Sequence, residues 1–163
     1  MNPNVELEIA SDHWAVLDDA ETLARDAIGL ACSVTRISIR EGAEVSVLLT
    51  DDAGISALNA RWRSQAKPTN VLSFPSAAPG RIADALLLGD IVIAFETMRR
   101  EAEADGKSLA DHYRHLVVHG FLHLIGFDHL DPDEADSMEG LERAILAGLS
   151  IDDPYALTAP LDD

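Results

Sequence analysis

One cysteine, Cys32, stands among 163 residues. An intrachain disulfide framework is excluded, and a reducing compartment suits the chain. Cys32 closes an apolar helical pattern, so it is expected as a small core residue. Long apolar runs are also missing. The longest, LLLGDIVIAF, is broken by Asp90, and no transmembrane helix is expected. The opening MNPNVELEIA has neither a basic n-region nor an apolar h-region. That argues against a secretory signal and for a cytoplasmic location. Basic residues are the largest deficit, 12 Lys and Arg against 29 Asp and Glu, for a net charge of −17. This balance argues against a generic nucleic-acid binder, because phosphate contacts want Lys and Arg.

The charge is uneven. From Asp128 to Asp163 there are eleven acids and one base, Arg143, a local balance of −10. Between Arg61 and Arg81 there are four bases (Arg61, Arg63, Lys67 and Arg81) and no acid. This island is either a solvated loop or a local anion site, with the acidic remainder limiting non-specific binding.

Periodicity predicts strands at Val5–Ser11, Glu44–Leu49, Val71–Phe74 and along LLLGDIVIAF, the last bulged at Gly89-Asp90. Pro75 places the third strand at an edge or ends it early. Helices are predicted over Trp14–Ala31 with Asp12 as N-cap, and over Ala53–Trp62 with Ile55, Leu58 and Trp62 on one face. Three more follow: Glu96–Ala104, Ser108 to about Ile125, and Asp131 to about Ala147. Asp131, Pro132 and Glu134 form a clean start for the last, and Gly126 and Gly148 serve as stops. The expected fold is α+β: one compact domain over residues 1–150, a small mixed sheet packed with helices. Residues 151–163 are expected as an acidic, frayed tail.

Within this frame lies HGFLHLIGFDH, His119 to His129. Its spacing is H-x-x-x-H-x-x-G-x-x-H. His119 and His123 share one helix face, one turn apart. Gly126 then turns the chain so that His129 can return to the same point. Three imidazoles with an open fourth position suit a catalytic zinc site more than a closed structural one. Zinc peptidases place a glutamate after the first histidine as general base. Here that position is Gly120, so peptide hydrolysis by that route is disfavoured. A bound metal still makes hydroxide available near neutral pH. Arg63, in the basic island, can grip a phosphate with two parallel hydrogen bonds. Metal-bound water with an arginine clamp points to phosphodiester cleavage. His112 and His115 lie upstream on the same helix and are expected as surface or supporting residues. Asp128 either orients an imidazole or water, or caps the turn. Met138 is expected in the core, and His13 has no partner visible in sequence.

HGFLHLIGFDH, with LNARWRSQAKPTNVLSFP (Leu58–Pro75) and LGDIVIA (Leu88–Ala94), resembles the YbeY family of bacterial endoribonucleases. The likeness runs from about Val45 to Ile145. It implies a small α+β metalloprotein with one zinc on His119, His123 and His129. It implies a single-strand-specific endoribonuclease of ribosomal RNA processing, acting at the small-subunit RNA 3′ end and in ribosome quality control. The family's arginine falls on Arg63. Two positions depart from the common pattern: Asn70, where many members carry Asp, and Phe127, where Tyr is common.

The resulting assignment gives catalytic roles to Arg63 and His119 and substrate binding to Arg63 and Lys67. The metal ligands are His119, His123 and His129 for one zinc, and Asp128 supports them. Expected partners are single-stranded rRNA, the ribosomal small subunit and assembly factors, with no membrane and no DNA. Two chemical routes are open: attack of metal hydroxide on phosphorus, or activation of the RNA 2′-OH, which leaves a 2′,3′-cyclic phosphate. Two rival readings are a zinc peptidase whose base is Asp128 or Glu139, and a ribosome-assembly factor with a structural zinc. A chain of −17 has few phosphates it can neutralise. Binding to naked RNA is therefore expected to be weak, with a shallow dependence of log K on log salt. A titration whose slope implies about ten phosphate contacts contradicts this.

Overall fold

Side chains alternate between the two faces of a strand, so a single bulge changes which residues reach the core. That happens once among the described residues. The computed structural model describes residues 2–155. Its strands are β1 (Asn4–Ile9), β2 (Glu44–Thr50), β3 (Val71–Pro75) and β4 (Leu87–Ala94), in the order β1-β2-β4-β3. The first, second and fourth run parallel, and β3 pairs antiparallel with β4 at the edge. Pro75 ends β3, at an edge where no ladder donor is required. In β4, Leu88 and Ile91 both reach the main core, which unbroken alternation forbids. The register slips between them: Glu44 faces Leu87, but Val45 faces Gly89. Gly89 takes φ 142°, and a Cβ there would lie 2.4 Å from the Phe74 carbonyl oxygen. The predicted bulge is therefore real, and glycine is what permits it.

Helices cover the sheet unequally. On one face α1 (Ala20–Thr35), α4 (Leu109–Leu124) and α5 (Pro132–Gly148) close over Val45, Val47, Leu49, Ile91 and Ile93 to make the main core. A row of alanines, Ala20, Ala24, Ala27 and Ala31, is buried along α1, and such small side chains let neighbouring backbones approach closely. On the other face α2 (Asp52–Arg63) packs Ile55 against Leu72, Val92 and Ala94. The uncovered part of that face is an open groove of about 840 Å³. Helix α3 (Phe95–Ala104) follows β4 directly. The expected α+β architecture with a mixed sheet is present.

Two expectations fail locally. The first helix does not begin near Trp14. Residues Asp12–Val16 form a 3-10 turn capped by Ser11 rather than Asp12, and α1 starts only after Asp19, at φ 59°. The reason is Trp14, which is buried edge-on against Phe95 and Tyr113 and donates its indole N–H to the Thr50 carbonyl at 2.8 Å. Tertiary packing overrides the helical period. The second miss is Trp62, expected on the buried face of α2 and 61% exposed.

Cys32 is buried, and burial pushes its thiol up to about 11, as suits a core residue. Ile151 is buried and Tyr155 packs onto α5, so the chain stays attached beyond residue 150. The rest of the expected acidic tail, 156–163, lies outside the described residues. No helix among the described residues is long and apolar enough to cross a membrane.

Gly89→Ala is expected to lower unfolding stability by about 2 kcal/mol or more, from strain and overlap. Gly140→Ala, in exposed helix with nothing within 4 Å, is expected to be neutral or to stabilise by up to ~1 kcal/mol. Urea midpoints of the two variants check the contrast.

Candidate metal centre

Helix α4 opens with Ser108, whose hydroxyl accepts from Asp111 N at 3.1 Å. It then carries His112, His115, His119 and His123 along one stripe. The first three are buried and the last is half-buried. The helix ends as the glycine at 126 predicts. Gly126 takes φ 106°, its N–H bonds to the His123 carbonyl, and Phe127 N–H bonds to the Leu122 carbonyl at 3.0 Å. This paired reversal aims the chain back toward the helix end. His129 thereby comes to 5.7 Å from His119 and 5.2 Å from His123, ring centre to ring centre.

One ligand atom from each of His119, His123 and His129 can be chosen so that all lie within 4.8 Å of one another. His119 Nε2 and His123 Nε2 are 3.2 Å apart. Two nitrogens on one tetrahedral zinc, at the usual bond length, stand about 3.3 Å apart. The donor set and its spacing therefore fit one metal ion.

A fourth residue organises the group. Glu142 of α5 is fully buried. One of its oxygens accepts from His119 Nδ1, and the other faces His115 Nε2 at 3.3 Å and accepts the Tyr155 hydroxyl. With its Nδ1 proton on a carboxylate, His119 presents the Nε2 lone pair to the cluster. Burial alone would raise the Glu142 carboxyl, but the hydrogen bonds from His115 and His119 outweigh it and hold it at about 2. Burial pushes His115 below the ordinary imidazole range. Burial, then the Glu142 carboxylate, pushes the Tyr155 hydroxyl well up, so it remains a donor.

His123 and His129 open onto a groove of about 520 Å³, lined also by Arg63, Ser73 and Asp128 among others. Arg63 ends α2 and donates to the Ser73 carbonyl at 2.9 Å, with its guanidinium over the Phe74 ring. The structure thus brings Arg63, His123 and His129 to one groove, while His119 lines a smaller cavity beside it. Lys67 is exposed and does not line it. Its carbonyl holds the Asn59 amide at 3.0 Å, a turn-forming contact. Of the two readings of Asp128, the local turn contact is present, its carboxylate accepting His129 N at 2.7 Å, while His123 Nδ1 lies 3.9 Å away, beyond hydrogen-bond distance. Met138 is buried and also lines a small cavity with His119 and His129. His112 and His115 are not surface residues: each meets a carboxylate, Glu101 for His112 and Glu142 for His115. His13 stacks on Phe95. Asn70 donates its amide to Glu101, where a second carboxylate would be repelled.

Sequence reasoning missed Glu142 and Tyr155. A signal for the first existed: Met138, Glu142, Ile145 and Leu146 form the buried stripe of α5, and a lone acid in such a stripe calls for a partner. Nothing in the tail composition marks Tyr155.

Gly120 also receives a physical reading. A Cβ there would lie 2.9 Å from Ile91 and 3.3 Å from Ser73 Oγ, and Ser73 Oγ donates to the Gly120 carbonyl. Position 120 faces the sheet, where no glutamate side chain fits.

The class these observations define is a single-domain α+β protein with a three-histidine group able to hold a metal ion beside an open groove. Comparison with known proteins agrees. The profile described as Endoribonuclease YbeY matches residues 8–150. Endoribonuclease YbeY of Methylocella silvestris is 49% identical over 155 residues, covering 95% of this chain and 87% of its own. That of Azorhizobium caulinodans is 51% identical over 155 residues, covering 95% and 98%. The solution structure of TM1509 from Thermotoga maritima shares the fold, with a TM-score of 0.56 at 19% identity over 93% of this chain and 98% of that one. This chain belongs to the YbeY family.

Gly120→Glu, which completes the peptidase signature, is expected to cost about 1–3 kcal/mol or more of stability and to yield no casein hydrolysis. A stable variant that gains metal-dependent proteolysis contradicts the packing argument. The metal-free protein is expected to lose stability on acidification in two windows. His115 has a folded pKa below its ordinary 6.5, so the unfolded chain takes that proton first, and loss begins below about pH 6.5. Glu142 is held at about 2 against 4.5, so a second loss falls between those values. Thermal midpoints against pH should show both, and Glu142→Gln should remove the second.

Proposed function

We propose that this protein is a zinc-dependent, single-strand-specific endoribonuclease of the cytoplasm, acting on ribosomal RNA in maturation of the small-subunit 3′ end. The observation that carries the reading is the shared groove: Arg63, His123 and His129 line one cavity. His119, His123 and His129 would hold the ion. Zinc, when bound, supplies Lewis acidity for an oxygen nucleophile and positive charge for a phosphoryl oxygen. Arg63 grips a non-bridging phosphate oxygen, its head fixed by the Ser73 carbonyl. Glu142 holds His119 in one tautomer and orientation. Asp128, 3.9 Å from His123 Nδ1, acts on the outer ligand by its charge and not by a hydrogen bond. Lys67, lying outside the groove, acts at most on distant phosphates.

The peptidase rival loses its ground at Gly120, which packs on Ile91. A base from elsewhere would have to be Glu139, which lines a small cavity with His119 and His129, or Asp128, and chelator-sensitive casein cleavage would favour that rival. The assembly-factor rival differs in needing no cleavage.

The test is cleavage of a single-stranded RNA spanning the small-subunit rRNA 3′ end. Wild type is expected to cut it, whereas folded His123→Ala and chelator-treated protein are not. Arg63→Ala is expected to lower kcat/KM by about 10- to 150-fold, the worth of a charge-assisted hydrogen bond. Identical products from wild type and His123→Ala would leave a metal-stabilised assembly factor as the better account.

A further inference from the structure

The groove at the histidines is not isolated. Arg63, Ser73 and Pro75 line it and also line the larger groove of about 840 Å³ on the sheet face that α2 leaves open. The two cavities therefore meet at Arg63. On the far side of that residue stands Trp62. The residue is 61% exposed, an unusual state for the largest apolar side chain in a protein with only two tryptophans. The ring lines the larger groove, tilts against Phe74 with ring centres 6.4 Å apart, and has the Arg61 guanidinium 5.0 Å from its centre. Arg63 in turn lies over Phe74. Two guanidinium groups thus flank a pair of aromatic rings beside the metal groove.

We propose that Trp62 is a stacking platform for a nucleobase of the RNA strand, one that neighbours the phosphate held by Arg63. The proposal rests on the endoribonuclease reading and extends it to the substrate's path. A flat aromatic next to a cationic groove is how sequence-tolerant single-strand binders hold bases. Arg61 adds charge at the same point without neutralising many phosphates. The other end of the large groove carries Glu6, Glu8 and Asp90. Those carboxylates repel phosphate, so the strand runs from the metal groove over Arg63 to Trp62 and leaves the sheet there. The arrangement also accounts for strand selectivity. A base in a duplex is already stacked on its neighbours and cannot cover Trp62, whereas an unpaired base can.

Fluorescence reads this directly, because Trp14 is buried and Trp62 is the exposed indole. The probe is a short single-stranded RNA of the small-subunit 3′-end sequence, mixed with zinc-loaded wild-type protein and read by stopped flow before cleavage. Emission is expected to quench on binding, and an equal-length duplex is expected to leave it unchanged. In the same background Trp62→Leu, which keeps apolar bulk but has no π face, is expected to weaken Kd by about 5- to 150-fold, the range of one base stack. Trp62→Phe should recover most of that loss. In steady-state cleavage the Trp62→Leu defect should fall on KM. Circular dichroism confirms that each variant is folded. Unaltered Kd in Trp62→Leu, absence of quenching, or an equal loss in Trp62→Leu and Trp62→Phe would each overturn the proposal. Cleavage by wild-type protein distinguishes its failure from failure of the endoribonuclease reading. If wild type cuts RNA and Trp62→Leu binds it equally well, only the stacking role is lost.

Discussion

The contact on which the site depends is a buried carboxylate between two helices. Glu142 sits at zero exposure in α5 and receives hydrogen bonds from His119 and Tyr155, with His115 3.3 Å away. An ionised carboxylate in a core is costly unless its lone pairs are met. Here they are met from α4 and from the segment after α5. The same bonds that keep the charge tolerable fix the rotation of the His119 ring. The orientation of His119 thus follows from satisfying a buried charge between two rigid helices, while His129 is delivered by the turn at Gly126.

A second constraint comes from the opposite side of α4. The helix lies close enough to the sheet that Gly120 has Ile91 where a Cβ would be. That approach sinks His119 into the core while leaving His123 at the rim. It also removes the position at which a peptidase carries its base. The absent glutamate is therefore a packing consequence, and the chemistry moves to the groove side, where Arg63 is anchored by the β3 backbone. Gly89 performs the related task in β4, where its bulge lets both Leu88 and Ile91 face α4 and its neighbours.

Much of this was legible in the sequence, for identifiable reasons. The α5 start at Asp131-Pro132, the Ser108 cap, the Gly126 reversal and the edge position of Pro75 are local rules, and each appears as expected. His119, His123 and His129 are likewise local, one turn and one reversal apart. What escaped is non-local. Trp14 follows a helical period but is taken from the helix by Phe95 and Tyr113. Trp62 follows the apolar face of α2 but borders the groove on the sheet that no helix covers, and stays exposed. Glu142 is 13 residues beyond His129 in a run of acids, and only its place in an apolar stripe separates it from solvated neighbours such as Asp136 and Glu139. Lys67 shares the basic island with Arg63 yet belongs to a turn outside the groove.

The most direct test of the account is the zinc affinity of Glu142→Gln beside that of the wild-type chain, measured by competition with a chromophoric chelator. Wild type should bind one ion per chain. The variant, which keeps the volume and a hydrogen-bonding oxygen but loses the charge, should bind it about 10- to 100-fold more weakly while remaining folded. Equal affinities in the two proteins would contradict the claim that the buried carboxylate builds the centre.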